Sequence, residues 1–78
     1  MKTTRYFDFR RSRPDRAVIK DEWITAIIEK PFHREIQQDG RFRLWGRVDE
    51  AEGRYLRVIL LGDEETVHNA FFDRNYRG

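Results

Sequence analysis

The sequence contains no cysteine, only two prolines, and no apolar run longer than the four residues from Val58 to Leu61. Without cysteine the chain can form neither a disulfide nor a thiolate metal site. A membrane-spanning helix needs about 20 consecutive apolar residues, so none is expected, and no segment resembles a signal peptide. We therefore expect a cytoplasmic protein that has no membrane partner.

The motifs of common catalytic and cofactor sites are also missing. There is no glycine-rich phosphate loop, no GxSxG elbow and no dinucleotide-binding fingerprint, and the five glycines fall mostly at turn-like positions. The two histidines, His33 and His68, and the scattered carboxylates lack the spacing of a metal site such as HExxH. We therefore expect no cofactor and no metal.

Overall charge gives little information, because sixteen basic residues stand against fourteen acidic ones. However, thirteen of the sixteen basic residues are arginine. The planar guanidinium suits bidentate contacts to phosphate, although a GC-rich genome that favours arginine codons is an alternative explanation. A chain of 78 residues allows a single small domain, residues 1–78, with one core.

The hydrophobic pattern predicts one helix and five strands. Thr4–Phe9 alternates and is aromatic, which predicts a first strand, and the basic residues 10–16 follow as a connector. Apolar residues at helical spacing predict a helix over Val18–Glu29. Turn-like breaks at residues 38–40, 49–53 and 62–65 then divide the remainder into four strands. The order is therefore β-α-β-β-β-β.

The turns also predict how these strands pair. A three-residue first loop with Gly40 in the left-handed conformation keeps the apolar residues together, and a one-residue slip in any hairpin would expose them. The predicted pairs are Ile36–Phe42, Glu35–Arg43, His33–Trp45, Leu44–Val58, Trp45–Arg57, Arg47–Tyr55, Leu60–Val67, Ile59–His68 and Arg57–Ala70.

This pairing divides the sheet into two faces. The predicted core face carries Phe42, Leu44, Gly46, Val48, Leu56, Val58, Leu60, Val67 and Phe71. The opposite face, called the second face here, carries His33, Glu35, Arg43, Trp45, Arg47, Tyr55, Arg57 and His68, with Ile59, Leu61 and Phe72 beside them. The fold class is α+β, with one helix packed on the core face of a curved antiparallel sheet. Because one helix covers only one face, the second face is either a ligand groove or an interface with a partner chain.

Arginines, an aromatic platform and histidines on one face are the groups that bind and cleave a phosphate backbone. A metal-independent ribonuclease needs a base, an acid and cations that stabilise the phosphorane. The candidate catalytic residues are Arg57, His68, Glu35, His33 and Tyr55. The candidate RNA-binding residues are Arg43, Trp45 and Arg47, where the tryptophan stacks a base.

Each of these residues also has a structural interpretation. Glu35 and Arg43 are equally a cross-strand ion pair, and Trp45 is equally a residue that covers the sheet or meets a partner. A histidine in a strand is more often a hydrogen-bonding residue than a catalyst.

Residues 40–46, 55–60 and 65–71, followed by Asp73-Arg74, resemble a set of short bacterial proteins of unknown function. The layout and the basic sheet face also resemble the RelE/BrnT-type toxin fold, although the second helix usual in BrnT-like toxins is not evident. The resemblance implies an RNA substrate, with or without the ribosome, and a small antitoxin as partner. It implies no catalytic residue, so the candidates above rest on the two faces alone.

Two functions are therefore expected. The first is a toxin-type RNA-cleaving or RNA-binding protein, neutralised by a small antitoxin-like protein. The alternative is a non-catalytic protein-interaction or RNA-binding module, in which the second face docks a partner or a second copy of the chain.

Overall fold

Three short helices precede a four-stranded sheet in the computed structural model, which describes all residues 1–78. The helices are α1 (Arg5–Arg10), α2 (Pro14–Ala17) and α3 (Asp21–Glu29). The strands are β1 (His33–Ile36), β2 (Phe42–Val48), β3 (Arg54–Leu60) and β4 (Val67–Phe72), with one turn of 3-10 helix at Asp49–Ala51 between β2 and β3. The sheet is antiparallel throughout, in the order β1-β2-β3-β4. The α+β class is therefore confirmed.

The predicted first strand over Thr4–Phe9 is wrong, because these residues form helix α1. Thr4 has an extended conformation, and its hydroxyl accepts a hydrogen bond from the N–H of Phe7 at 3.1 Å. This N-cap satisfies an N–H group that the first helical turn would otherwise leave unpaired. Thr3 makes only an isolated parallel bridge with Val67, so the N-terminal segment touches the sheet edge without adding a strand.

The main helix ends at Glu29, as predicted, but it begins at Asp21 and not at Val18. Residues predicted as a connector contain α2, which has Pro14 in its first turn, where a missing N–H costs nothing. Ile24 and Ile27 of α3 are buried against the core face. A side chain at Gly46 would lie 2.4 Å from Cγ1 of Ile27, so this glycine lets the helix approach the sheet closely.

The registers of the first two hairpins are confirmed residue by residue. Ile36 lies opposite Phe42 and His33 opposite Trp45, and Gly40 has a left-handed φ of 88°. In the next hairpin, Trp45 lies opposite Arg57. The residues of the second face from β1, β2 and β3 therefore have the neighbours that the alternation predicted.

The third hairpin is predicted correctly at its first pair only. Leu60 lies opposite Val67, but Ile59 lies opposite Asn69 and not His68, because a β-bulge intervenes. The extra residue reverses the faces of the rest of β4. Arg57 consequently lies opposite Phe71 and not Ala70.

The bulge changes which residues form the core. Ala70 is 2% exposed and Phe72 packs against the core, although both were predicted on the second face. Phe71, predicted in the core, instead lies opposite Arg57. The helices cover the core face, where the apolar side chains of α1, α3 and the central strands meet. No helix of this protein is both long enough and apolar enough to traverse a bilayer.

Candidate functional site

The C-terminal residues 73–78, called the tail here, fold back over the second face. The ring of Tyr76 lies nearly parallel to the Trp45 indole, with 4.8 Å between centroids and 13° between planes. The indole Nε1 of Trp45 donates a hydrogen bond to Oδ2 of Asp73 at 3.0 Å. Trp45 is therefore only 4% exposed, although it faces away from the helices. The chain itself supplies part of the cover that was expected from a partner.

Arg57 lies at the centre of this arrangement. Its Nη1 is 3.5 Å from Oδ2 of Asp73, and its guanidinium lies 5.3 Å from the ring centroids of both Trp45 and Phe71. Its buried Nε has no hydrogen-bond partner. Arg57 thus contacts one carboxylate and two aromatic rings, and its Nε–H group donates to no acceptor.

The electrostatics of Asp73 follow from these contacts. Burial raises the pKa of its carboxyl group, but the hydrogen bonds from Trp45 and from the N–H of Asn75, with the charge of Arg57, outweigh burial. The net pKa of Asp73 is lower than usual. The tail therefore presents a carboxylate anion to Arg57 at neutral pH.

Five rings form one continuous group on this face, called the aromatic cluster here: Phe32, His33, Trp45, Tyr55 and Tyr76. Tyr76 lies at its centre, because its ring contacts each of the other four. Burial, followed by the nearby Tyr55 and Glu35, raises the pKa of the Tyr76 phenol, which stays neutral at pH 7. Phe32 is 62% exposed, so the cluster remains open to solvent on its β1 side.

His33, Glu35 and Arg43 form a second polar group beside the aromatic cluster. Nε2 of His33 is 2.9 Å from Oε2 of Glu35, and Nη2 of Arg43 is 3.8 Å from Oε1 of the same carboxylate. The histidine and glutamate are both exposed, and the arginine is about one third exposed. An imidazole oriented by a carboxylate can take up or give a proton, and the adjacent guanidinium can bind an anion.

Arg47 and Tyr55 lie opposite each other at the other end of the face. Arg47 is largely exposed, and its Nε donates to Oδ1 of Asp49 at 3.1 Å. A surface pair of this kind is weak, so the guanidinium can exchange its partner for a phosphate. Tyr55 contacts Phe32 and Tyr76 and joins the two ends of the face.

His68 is the one candidate that lies apart from the others. It occupies the β4 bulge, where Nδ1 lies 3.1 Å from the Thr4 hydroxyl and the imidazole stacks on Tyr6 at 4.9 Å. Burial, followed by the charge of Arg41, lowers the pKa of His68. These contacts attach α1 to the sheet edge, so the expected cluster of His68 with Arg57 does not form.

The tail residues Asp73 and Tyr76 make the principal contacts of the site, and the strand alternation did not predict this role. The tail has no periodicity, so a pattern of period two cannot place its side chains. The only signal was an aromatic residue within a polar terminal segment.

No group of three histidine, aspartate or glutamate side chains is arranged to hold a metal ion. Comparisons with protein-family models, curated proteins and solved structures found no match to this chain.

Proposed function

We propose that this protein binds single-stranded RNA through its second face. The observation that carries the proposal is the aromatic cluster, five rings in continuous contact, bordered by Arg43, Arg47 and Arg57 on the same face. Aromatic rings stack bases whatever their sequence, and arginines neutralise the phosphates between them.

The exposed side of the cluster would accept the bases. Phe32 and His33 lie on that side, and both contact Tyr76. Arg43 and Arg47 flank the cluster at opposite ends of β2, and each makes only an exposed or half-exposed ion pair. A single strand of RNA lying along β2 would contact Arg43 at one end, the aromatic cluster in the middle and Arg47 at the other end.

A binding experiment with fluorescein-labelled decauridylate tests this proposal. Replacing both flanking arginines (Arg43→Gln with Arg47→Gln) removes two phosphate contacts, so the slope of log Kd against log salt should fall by about 1.4, at about 0.7 for each contact. The matched control is Arg5→Gln with Arg13→Gln, which removes two exposed charges whose side chains make no hydrogen bond and no ion pair. Arg5 begins α1, and Arg13 directly precedes α2. An equal loss of slope in both variants would contradict a site on this face.

A second candidate function is a metal-independent ribonuclease, which the pairing of His33 with Glu35 favours. His33 would take the proton of a ribose 2′-hydroxyl as the 2′-oxygen attacks phosphorus. A cyclic phosphate would form, and the 5′-oxygen would leave with a proton from solvent. Arg43 would stabilise the charge on the phosphorane. RNA cleavage is the activity that the resemblance to the RelE/BrnT-type toxin fold implies. A small antitoxin-like protein would then neutralise it by covering the same face.

Incubation with labelled RNA in the presence of a chelator distinguishes the two candidates. Cleavage that is lost in His33→Gln and Glu35→Gln but kept in His68→Gln would establish the ribonuclease and its site. Binding without cleavage, together with harmless expression in bacteria, would leave the RNA-binding function alone.

A further inference from the structure

A cleft of about 550 Å³ lies beside the second face, between α2, the start of β3, the end of β4 and the tail. Its volume is in the range of small-ligand sites, which is about 300–1,000 Å³. Four arginines line it, one from α2, one from β3 and two from the tail: Arg16, Arg54, Arg74 and Arg77. None of the four was a candidate site residue in the sequence.

Two of these arginines are held in place by aromatic rings. Arg54 lies over the Phe72 ring at 4.1 Å, and its Nε donates to the carbonyl of Ala51 at 3.0 Å, which leaves its terminal nitrogens unused. Arg16 lies over the Phe71 ring at 5.2 Å. The guanidinium of Arg54, fixed in this way, loses little side-chain entropy when it binds an anion. Arg16 is already engaged, because its Nη1 donates to Oδ1 of Asn69 at 2.8 Å.

The two tail arginines have no partner within the protein. The side chains of Arg74 and Arg77 make no hydrogen bond and no ion pair, and both line the cleft. The carboxylates in the lining are already engaged, since Asp15 lies 3.7 Å from Arg16 and Asp73 binds Arg57 and Trp45. Four arginines against two aspartates leave the cleft a surplus of two positive charges.

The cleft also has aromatic residues in its lining, which can contact a larger ligand than an inorganic anion. Tyr55 and Tyr76 both line it and meet edge to face, with 5.1 Å between their ring centroids. These two rings give the cleft an aromatic wall next to the cationic one, while Phe71 and Phe72 lie beneath Arg16 and Arg54. A planar base and a phosphate joined by a sugar would meet both walls.

We propose that this cleft is a binding site for a nucleoside monophosphate group, with the phosphate monoester held by Arg54, Arg74 and Arg77 and the base against the tyrosines. A monoester carries close to two negative charges at neutral pH, which matches the surplus in the lining. The ligand is either a free nucleotide or the 5′-phosphorylated end of an RNA. Binding at this cleft depends only on the residues that line it and does not require that the second face bind RNA.

Calorimetric titration of the full chain with uridine monophosphate, uridine and inorganic phosphate tests the site. The monophosphate should bind at least about tenfold more tightly than either uridine or inorganic phosphate. Arg74→Gln with Arg77→Gln should weaken it by about tenfold or more, because hydrogen bonds to charged groups are lost. The control pair Arg5→Gln with Arg13→Gln should change its Kd less than twofold. Equal affinity for uridine and its monophosphate, or equal weakening by both double variants, would overturn the proposal.

Two oligonucleotides distinguish the possible sources of the phosphate. Tetrauridylate with a 5′-phosphate should bind more tightly than its 5′-hydroxyl form if the site takes RNA ends. If the site takes only free nucleotides, a saturating amount of uridine monophosphate will not displace the phosphorylated tetramer. Failure of uridine monophosphate to bind at all would overturn the site, while RNA binding by the second face would still be measurable with the 5′-hydroxyl form.

Discussion

The indole of Trp45 donates its hydrogen bond to Asp73 at 3.0 Å, which ties the tail to the middle of β2. The same carboxylate oxygen lies 3.5 Å from Arg57 on the neighbouring strand. One aspartate therefore satisfies two donors that the sheet alone would leave without a partner. Removing it tests how firmly the tail is held.

Replacing Asp73 with alanine should lower the free energy of unfolding by about 1–3 kcal/mol, because the buried Nε1 of Trp45 and the guanidinium of Arg57 lose their acceptor. Urea unfolding measures this change, and tryptophan fluorescence should shift to the red as Trp45 becomes solvated. Asp15→Ala, which removes an exposed carboxylate, should change the free energy by less than about 1 kcal/mol. Equal effects in the two variants would mean that the tail is not anchored at Asp73.

Replacing Gly46 with alanine should destabilise the fold by about 1–3 kcal/mol, because the new Cβ would lie 2.4 Å from Cγ1 of Ile27. Ile27→Ala alone should cost about 2–5 kcal/mol through the cavity it leaves. In the double variant the added methyl enters that cavity, so its cost should be smaller than the sum by about 1 kcal/mol or more. Gly62→Ala is the control, since its nearest neighbour would lie at 3.5 Å. Strict additivity of the two changes would contradict the close approach.

The stability of the β3–β4 turn should depend on pH through Asp63. The Thr66 hydroxyl and the N–H groups of Thr66 and Glu65 donate to this carboxylate and lower its pKa from 3.8 to about 2. Because the pKa in the folded state is the lower one, the stabilisation is present above about pH 4 and is lost as the pH falls to about 2.

The difference in free energy of unfolding between the wild type and Asp63→Asn, measured by urea titration, should therefore shrink between pH 4 and pH 2. Asp15→Asn, outside the turn, gives the comparison for removing one surface carboxylate. A wild-type advantage that stays constant across this range would contradict the hydrogen-bonded turn.

His68 should titrate below the ordinary histidine pKa of 6.5, because burial and then the charge of Arg41 disfavour its protonated form. A proton therefore binds more tightly to the unfolded chain. The stability that His68 gives at neutral pH should decrease as the pH falls below 6.5 through the folded pKa. NMR titration of the His68 ring, assigned with a His33→Gln variant, measures the midpoint. A midpoint at or above 6.5 would contradict the contacts with Thr4 and Tyr6.

The sequence predicts the two hairpins of β1, β2 and β3 correctly for a physical reason. In the β2–β3 hairpin the apolar residues stay on one face only in one register, so burial of Leu44 and Val58 selects the pairing. Strand β1 is exposed throughout, and its register follows from the three-residue loop with the left-handed Gly40. The positions of Trp45, Arg57, Arg43 and Glu35 follow directly from these two registers. The sequence therefore predicts the positions of most residues of the second face.

The errors arise where individual side-chain contacts, and not the period of the apolar residues, decide the structure. Helix α1 forms because Thr4 caps it, and a six-residue alternating segment cannot show whether its period is two or 3.6. The bulge at His68 is stabilised by contacts with Thr4 and Tyr6, residues more than 60 positions away in sequence. The tail follows no period, and its placement depends on Asp73 meeting two donors from different strands.

The most direct test of RNA binding by the second face compares two exposed phenylalanines. Phe32 is 62% exposed on the aromatic cluster, and Phe9 is 64% exposed on α1. Stacking contributes about 1–3 kcal/mol for each base, so Phe32→Ala should weaken the binding of labelled decauridylate at least about fivefold, measured by fluorescence anisotropy. Phe9→Ala should leave the Kd unchanged within twofold. Equal affinities of the two variants, or no binding by the wild-type protein at low salt, would contradict the proposed function.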